Sequence, residues 1–189
     1  MWDDFPFNNG VVSDAGLKAL HQTIGVGSSD VPQNAREFVR RGGKLIMYHG
    51  FSDPSVSPYQ SIWFYNGLAR LEGGIDKLQT STRLFMVPGM GHCSGGPGPN
   101  TFDTLGALDG WVSRNVPPDS IVATNTSTGR SMPLCKFPEE ASYVGGNVNA
   151  AQSWVCKPTD TRMLEVGLDG ELAHANASPD PDTVAHGHP

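Results

Sequence analysis

Apolar residues in the middle of the chain follow two patterns that alternate along the sequence. Residues 44–48 and 83–87 are short, nearly continuous apolar runs, which favour buried strands of a parallel sheet. Residues 57–71 and 101–115 carry apolar side chains at helical spacing, and Pro58 lies at the first turn of the earlier helix. The order strand, helix, strand, helix predicts an α/β fold with right-handed crossovers.

The pattern is weaker on both sides of this region. Residues 13–24 have the spacing of a short helix, and residues 31–39 that of a helical turn. Residues 120–124 predict a short edge-type strand, and a loop-rich segment then continues through Lys157 and is expected to wrap around the outside. Residues 173–189 are rich in Asp, Pro, Ala and His, which predicts a disordered tail.

Composition narrows the class of protein. A chain of 189 residues with 38% hydrophobic and 17% charged residues is long enough for one domain with a core. Its net charge is −6 and its 13 basic residues are scattered, which argues against a nucleic-acid partner. No apolar run approaches the roughly 20 residues that span a bilayer, so no membrane association is predicted. Residues 1–5 lack the features of a signal peptide. If the N-terminus of the parent protein lies upstream, this says nothing about where that protein works.

Two polar side chains follow the two apolar runs. Asp53 comes shortly after the first run and His92 shortly after the second. In α/β-hydrolases the catalytic residues come in the order nucleophile, acid, histidine, and the last two lie on loops beyond sheet strands. No Gly-x-Ser-x-Gly occurs, and nothing upstream of Lys44 has the strand, turn and helix of a nucleophile elbow. The pattern therefore predicts an ester hydrolase site without its attacking residue.

Three serines resemble nucleophile strings but are rejected. Ser94 lies two residues from His92, which gives the wrong geometry for a shared hydrogen bond, and the prolines that follow prevent the required helix. Ser28 and Ser29 follow a Gly-x-Gly, but no apolar β-run precedes them.

The three cysteines predict one disulfide and one unpaired thiol. Cys135 and Cys156 lie in a Pro- and Gly-rich stretch, where closing a loop of about 20 residues would stabilise the fold by about 3 kcal/mol in an oxidising compartment. The alternative is two free buried thiols. Cys93 is then left over and points to a partner elsewhere. No Cys-x-x-Cys or His-x-x-x-His spacing occurs, so neither a metal site nor a cofactor is expected in this chain.

Several strings together carry a family resemblance. They begin with Arg-Gly-Gly-Lys-Leu-Ile-Met-Tyr-His-Gly at 41–50, followed by Ser-Asp-Pro at 52–54 and Gly-Met-Gly-His-Cys at 89–93. The match continues through 118–123 and 130–135 to Cys156, so it covers roughly residues 36–158. These strings resemble the tannase and feruloyl esterase family.

The resemblance implies a partial α/β-hydrolase: the last strands of a parallel sheet, flanking helices, and a loop-rich C-terminal segment held by a disulfide. By this resemblance, residues 36–158 are the C-terminal part of the catalytic domain. Residues 1–35 are then an N-terminal segment without an assignment, and residues 159–189 a disordered tail. Members are secreted enzymes that cleave esters of aromatic acids such as gallate, ferulate and terephthalate monoesters. The parent protein is therefore expected to be secreted or periplasmic, with an aromatic-acid ester as substrate.

The resemblance also assigns roles to individual residues. His92 would be the general base and acid, and Asp53 would orient it; outside this context they would be a loop histidine and a turn residue or helix cap. The family's elbow, Cys-Ser-x-Gly-Gly, carries the nucleophile, and its Cys forms a disulfide with the Cys that Cys93 matches. The elbow, most of the sheet, and a lid with a structural calcium ion would precede the matched part, so the missing N-terminal part is an expected partner.

Other interpretations stay open at this point. The chain could be a non-catalytic fragment or interaction module without hydrolase activity, or a minimal esterase with an unrecognised serine. His49 is expected to be structural, holding the loop of Asp53. Asn125 and Asn176 begin glycosylation sequons, which would matter only in a eukaryotic secretory pathway.

Overall fold

The structure is a computed structural model that describes residues 32–158. The predicted helix at 13–24, Ser28, Ser29 and the predicted tail lie outside the described residues. The elements, in chain order, are helix α1 (Pro32–Arg40), strand β1 (Leu45–Gly50), helices α2 (Pro58–Glu72) and α3 (Ile75–Leu78), strand β2 (Thr82–Val87), helix α4 (Thr104–Arg114), strands β3 (Ser120–Asn125), β4 (Arg130–Cys135) and β5 (Glu139–Tyr143), a 3₁₀ turn (Ala151–Ser153) and strand β6 (Trp154–Pro158).

A β-α-β unit forms the centre of the described region. Strands β1 and β2 pair in parallel, with Leu45 opposite Thr82 and Gly50 opposite Val87. Helix α2 connects them: Pro58 lies in its first turn, and Gly73 ends it in the left-handed conformation with φ of 86°. The predicted parallel pair is therefore confirmed. The predicted helices at 57–71 and 101–115 are confirmed as α2 and α4. Their shared core contains Val39, Ile62, Tyr65, Leu68, Ala69, Leu78, Leu84 and Phe137.

The two parallel strands differ in burial. Strand β2 is buried along almost its whole length, whereas most of β1 is only partly buried, and Tyr48 is 46% exposed. Within residues 32–158, β1 has β2 on one edge and no strand on the other. The prediction of a fully buried strand at 44–48 is thus wrong, because β1 lacks the second neighbour that would cover it.

The region after residue 118 contains more regular structure than predicted. Strands β3 and β4 form one antiparallel pair, and β5 and β6 form another. The expectation of one edge-type strand followed by a loop-rich segment thus missed strands β4, β5 and β6. Strands β4 and β5 contain Pro, Ser and Glu at positions where isolated strands favour β-branched residues, so long-range pairing rather than local propensity stabilises them.

Two further features join this region to the parallel strands. The predicted disulfide between Cys135 and Cys156 is present and links β4 to β6, with a Cα–Cα distance of 5.5 Å. A second core joins β2 to the β3–β4 hairpin. Its buried residues are Phe85, Val87, Met90, Ile121, Ala123 and Leu134.

Among residues 32–158, no helix combines the length and the apolar character needed to cross a bilayer.

Candidate active site

Two loops meet at the carboxyl ends of the parallel strands. We name residues 51–57, which follow β1, the acid loop, and residues 88–103, which follow β2, the base loop. Backbone hydrogen bonds of 2.9 Å join them, from Phe51 N to Val87 O and from Ser52 N to Met90 O. A Cβ atom at Gly50 would overlap the carbonyl oxygens of Met90 and Gly91, so glycine is needed here for the loops to approach each other.

The carboxylate of Asp53 is enclosed by hydrogen-bond donors. Its side chain is only 4% exposed. Oδ1 accepts hydrogen bonds from the backbone amides of Ser55 at 2.8 Å and Val56 at 3.0 Å. Burial acts to raise the pKa of Asp53, but these two amides and the neighbouring His92 outweigh it and hold the pKa well below its usual value. The carboxyl group is therefore ionised at neutral pH.

His92 contacts this carboxylate through one ring nitrogen. Its Nδ1 lies 2.7 Å from Asp53 Oδ2, and 51% of its side chain is exposed. Because an ionised carboxylate only accepts, Nδ1 must carry the hydrogen, and Nε2 of the neutral ring then holds a free lone pair. Nε2 has no hydrogen-bond partner within residues 32–158. The two predicted residues thus form a pair that can accept a proton on the exposed side.

A second histidine contacts the same carboxylate. His49 Nε2 lies 3.2 Å from Asp53 Oδ2, and His49 Nδ1 lies 2.7 Å from the hydroxyl of Ser61 on α2. The prediction that His49 holds the Asp53 loop agrees with this geometry. Ser61 was not predicted, because a single serine within a helix carries no sequence signal of its own.

The base loop owes its shape to glycines and to one distant side chain. Gly89, Gly95 and Gly96 all have positive φ. Asn125 Nδ2, at the end of β3, donates to Gly98 O at 2.8 Å and more weakly to Gly96 O at 3.4 Å. The Asn125 side chain is therefore occupied within the fold and is only 4% exposed, which does not suit a glycan acceptor.

Asn125 was missed as a site residue. A signal existed in the sequence: positions 121, 123 and 125 face the same side of β3, and the first two are apolar. A polar residue at an inward position of a strand requires internal hydrogen bonds.

Cys93 and Ser94 follow the base. Cys93 is a free, exposed thiol, and since the chain has three cysteines and the other two are joined, no disulfide partner for it remains in this chain. The amide of Ser94 donates to His92 O at 2.7 Å, and its hydroxyl makes no hydrogen bond to the imidazole. The rejection of Ser94 as nucleophile stays a prediction from the sequence.

Neither a metal centre nor a substrate cavity can be assigned around the pair. No group of three or more His, Cys, Asp or Glu in the described part of the chain could hold a metal ion. A cavity of about 270 Å³ lies between Phe51, Pro88 and the β4–β5 connection. Asp53 and His92 do not line it, so we do not assign it to the reaction.

The order of the motifs and the Asp53–His92 contact agree with one family. The profile described as "Tannase and feruloyl esterase" matches residues 6–157. The chain belongs to the tannase and feruloyl esterase family. This match also includes residues 6–35, where the sequence motifs gave no alignment; the domain boundaries proposed above stay a prediction.

Relatives in this family are named as esterases. The chain is 41% identical over 126 residues to mono(2-hydroxyethyl) terephthalate hydrolase of Piscinibacter sakaiensis. This match covers 63% of this chain and 20% of the relative. It is 44% identical over 124 residues to an uncharacterized esterase of Agrobacterium fabrum, covering 63% of this chain and 22% of that protein.

A solved structure of the family has the same fold over the shared region. Feruloyl esterase B from Aspergillus oryzae superposes with a TM-score of 0.59 at 30% identity, covering 64% of this chain and 28% of that one. The described region therefore shares its fold with part of this feruloyl esterase, and the chain spans between 20% and 28% of the length of these three proteins.

Proposed function

We propose that this chain supplies the acid and the base of a serine-type carboxylic ester hydrolase whose nucleophile lies on a segment outside it. The observation that carries this proposal is the 2.7 Å contact between Asp53 Oδ2 and His92 Nδ1. It leaves His92 Nε2 exposed and able to accept a proton, as a serine hydroxyl requires.

The proposed reaction uses His92 twice. Nε2 removes the hydroxyl proton while the serine oxygen bonds to the ester carbonyl carbon, and the imidazolium then returns that proton to the leaving alcohol. In the second half-reaction the same nitrogen removes a proton from water as the water oxygen bonds to the acyl carbon. The imidazolium then gives that proton to the departing serine oxygen, which releases the carboxylic acid and regenerates the serine. Asp53 keeps Nδ1 protonated and stabilises the imidazolium.

The proposed substrate is an ester of an aromatic acid. Support comes from the relatives, whose names specify a terephthalate monoester and feruloyl esters. We propose no particular acid or alcohol, because the family's lid, which holds the aromatic acid, would lie outside this chain. We propose neither nucleic acid nor a membrane as a partner, in line with the prediction from charge and hydropathy.

The proposed partner is the N-terminal part of such a hydrolase. Cys93 lies next to His92 and is exposed, so a disulfide from Cys93 to the nucleophile elbow would hold serine and base together. The free edge of β1 would pair with a further strand of the parallel sheet. The Cys135–Cys156 disulfide supports an oxidising location, secreted or periplasmic, for the parent protein.

One observation favours a second candidate function. Within residues 32–158, β1 has an open edge, and Tyr48 on this strand is 46% exposed. Both features would equally suit a non-catalytic module that binds another chain. Size-exclusion chromatography with light scattering separates these candidates. An incomplete hydrolase should aggregate or require its other half, whereas an interaction module should be monodisperse or bind a defined partner.

A chimera tests the catalytic proposal. Residues 36–158 would replace the matched portion of the Piscinibacter sakaiensis hydrolase, and cleavage of mono(2-hydroxyethyl) terephthalate would be measured. We expect turnover that is lost with His92→Ala and kept with His49→Gln, which retains a donor toward Asp53. A folded chimera that is equally active with His92→Ala would contradict the assignment of the base.

The isolated chain tests whether the nucleophile lies elsewhere. Intact-mass spectrometry after treatment with a fluorophosphonate should detect no adduct. A stoichiometric adduct on one serine, lost in a His92→Ala control, would identify a nucleophile inside this chain and establish a minimal esterase instead.

A further inference from the structure

The hydrogen on His49 can be assigned from its neighbours. Nε2 lies 3.2 Å from both Asp53 Oδ2 and Val56 O, and neither oxygen carries a hydrogen. Nε2 must therefore be protonated. In the neutral ring Nδ1 then accepts from the Ser61 hydroxyl at 2.7 Å. Asp53 and Val56 thus select the Nε2–H tautomer of His49, and the Ser61 hydroxyl holds the other side of the ring.

Two imidazoles consequently donate to one carboxylate oxygen from different sides. His92 contacts Oδ2 with 51% of its side chain exposed, whereas the side chain of His49 is 12% exposed. The other oxygen, Oδ1, is held by the amides of Ser55 and Val56. With Oδ1 held, rotation of the carboxyl group would move Oδ2, and the His49 hydrogen bond opposes that rotation.

We propose that His49 is a positioning residue that keeps Asp53 Oδ2 in line with His92 Nδ1. It acts through Asp53 and touches neither the serine nor the ester, and its role rests on the proposed function of the Asp53–His92 pair. Helix α2 supports it from behind, because Ser61 precedes Ile62, which is fully buried in the core. The relay therefore runs from helix α2 through Ser61, His49 and Asp53 to the base.

Two substitutions at His49 separate its two contacts. The amide nitrogen of Gln can occupy the place of Nε2, so His49→Gln retains a donor to Asp53. The shorter Asn reaches the place of Nδ1, so His49→Asn retains only the contact with Ser61. The two variants have similar polarity and differ in which end of the relay they preserve.

The test is the tautomer of His92 in the 189-residue chain. Long-range ¹H–¹⁵N correlation spectra of the ¹⁵N-labelled protein at alkaline pH distinguish Nδ1–H from Nε2–H imidazole. We expect His92 to be in the Nδ1–H form in the wild type and in His49→Gln. In His49→Asn the population of that form should fall by about twofold or more. A merely structural role would affect both variants alike.

The alternative outcomes separate this inference from the proposed function. Equal Nδ1–H populations of His92 in all three proteins would overturn the role of His49 and leave the Asp53–His92 pair intact. A wild-type spectrum without the Nδ1–H form would overturn the pair, and this inference with it.

A milder variant covers the case in which His49→Asn does not fold. Ser61→Ala removes only the hydroxyl that donates to His49 Nδ1. We expect His49 to keep its Nε2–H tautomer, because Asp53 and Val56 still accept from it, but to be held less firmly, so that His92 loses part of its Nδ1–H form. An unchanged Nδ1–H population of His92 would overturn the relay.

Discussion

The acid loop and the base loop both follow the carboxyl ends of the parallel strands, but they are held in different ways. In the acid loop Asp53 is 4% exposed and receives hydrogen bonds from Ser55, Val56 and the nearby His49. In the base loop His92 is 51% exposed, and the loop is held by glycine conformations and by Asn125 from a different strand. The position of the acid is thus built locally, and that of the base depends on contacts distant in sequence.

This difference matches the chemistry proposed for each residue. An orienting carboxylate works best when it is enclosed and cannot rotate, because its task is to hold one tautomer. A general base must leave one nitrogen open to the nucleophile and leaving group. The exposed side of His92 is therefore the side on which a second segment is expected to pack.

The largest expected effect comes from breaking the contact between the loops at Asp53. In the chimera, Asp53→Asn should lower kcat by about 10⁴-fold, because an amide nitrogen facing Nδ1 disfavours the required tautomer. The matched control is Asp76→Asn, at an exposed acid of helix α3. A loss below about tenfold would show that the acid loop does not orient the base.

The next effect comes from forcing the loops apart at Gly50. Gly50→Val places a side chain against the carbonyls of Met90 and Gly91, so the free energy of unfolding should fall by about 1–3 kcal/mol in urea denaturation. Gly43→Val is the control, since the atoms nearest to a Cβ there belong to the ring of Phe38, a residue that is 49% exposed and able to move. Equal losses in both variants would contradict a specific close approach at Gly50.

Removing the distant support should loosen the base loop and the β3–β4 turn, where Asn125 Oδ1 accepts from the amide of Ser127 at 3.0 Å, but not the acid loop. Asn125→Ala leaves the carbonyls of Gly96 and Gly98 without their donor, which should cost about 1–3 kcal/mol of stability. Hydrogen exchange should accelerate at the amides of Gly91 and Gly98 but not at those of Ser55 and Val56.

The control for this variant is Asn147→Ala, which removes an exposed side chain bonded to the amide of Asn149. Faster exchange throughout the acid loop in Asn125→Ala would contradict the independence of the two loops.

The smallest effect concerns acid stability. Because the pKa of Asp53 is lower in the folded protein than in the unfolded chain, its stabilisation is fully present above the unfolded pKa of about 3.9 and is lost as pH falls below it. The free energy of unfolding should therefore fall less steeply below about pH 4 in Asp53→Asn than in the wild type. Identical slopes in the wild type, Asp53→Asn and the control Asp76→Asn would contradict a stabilised carboxylate.

Local patterns in the sequence were sufficient for the β-α-β unit and for the Asp53–His92 pair. The strands at 44–48 and 83–87 were recognised from apolar runs, and helix α2 from its spacing and its Pro58 start. Because parallel strands end at the same sheet edge, residues just beyond two such strands must come together. This reasoning needs no knowledge of distant contacts.

The antiparallel strands and the supports of the site were decided only by tertiary structure. Strands β4 and β5 have little intrinsic strand preference and form because their partners are brought alongside them. Ser61 and Asn125 act through contacts 12 and 27 residues away along the chain, to His49 and Gly98. The sequence alone thus determined which residues end the two strands, whereas folding decided what holds them, because a hydrogen bond between distant segments leaves no local pattern.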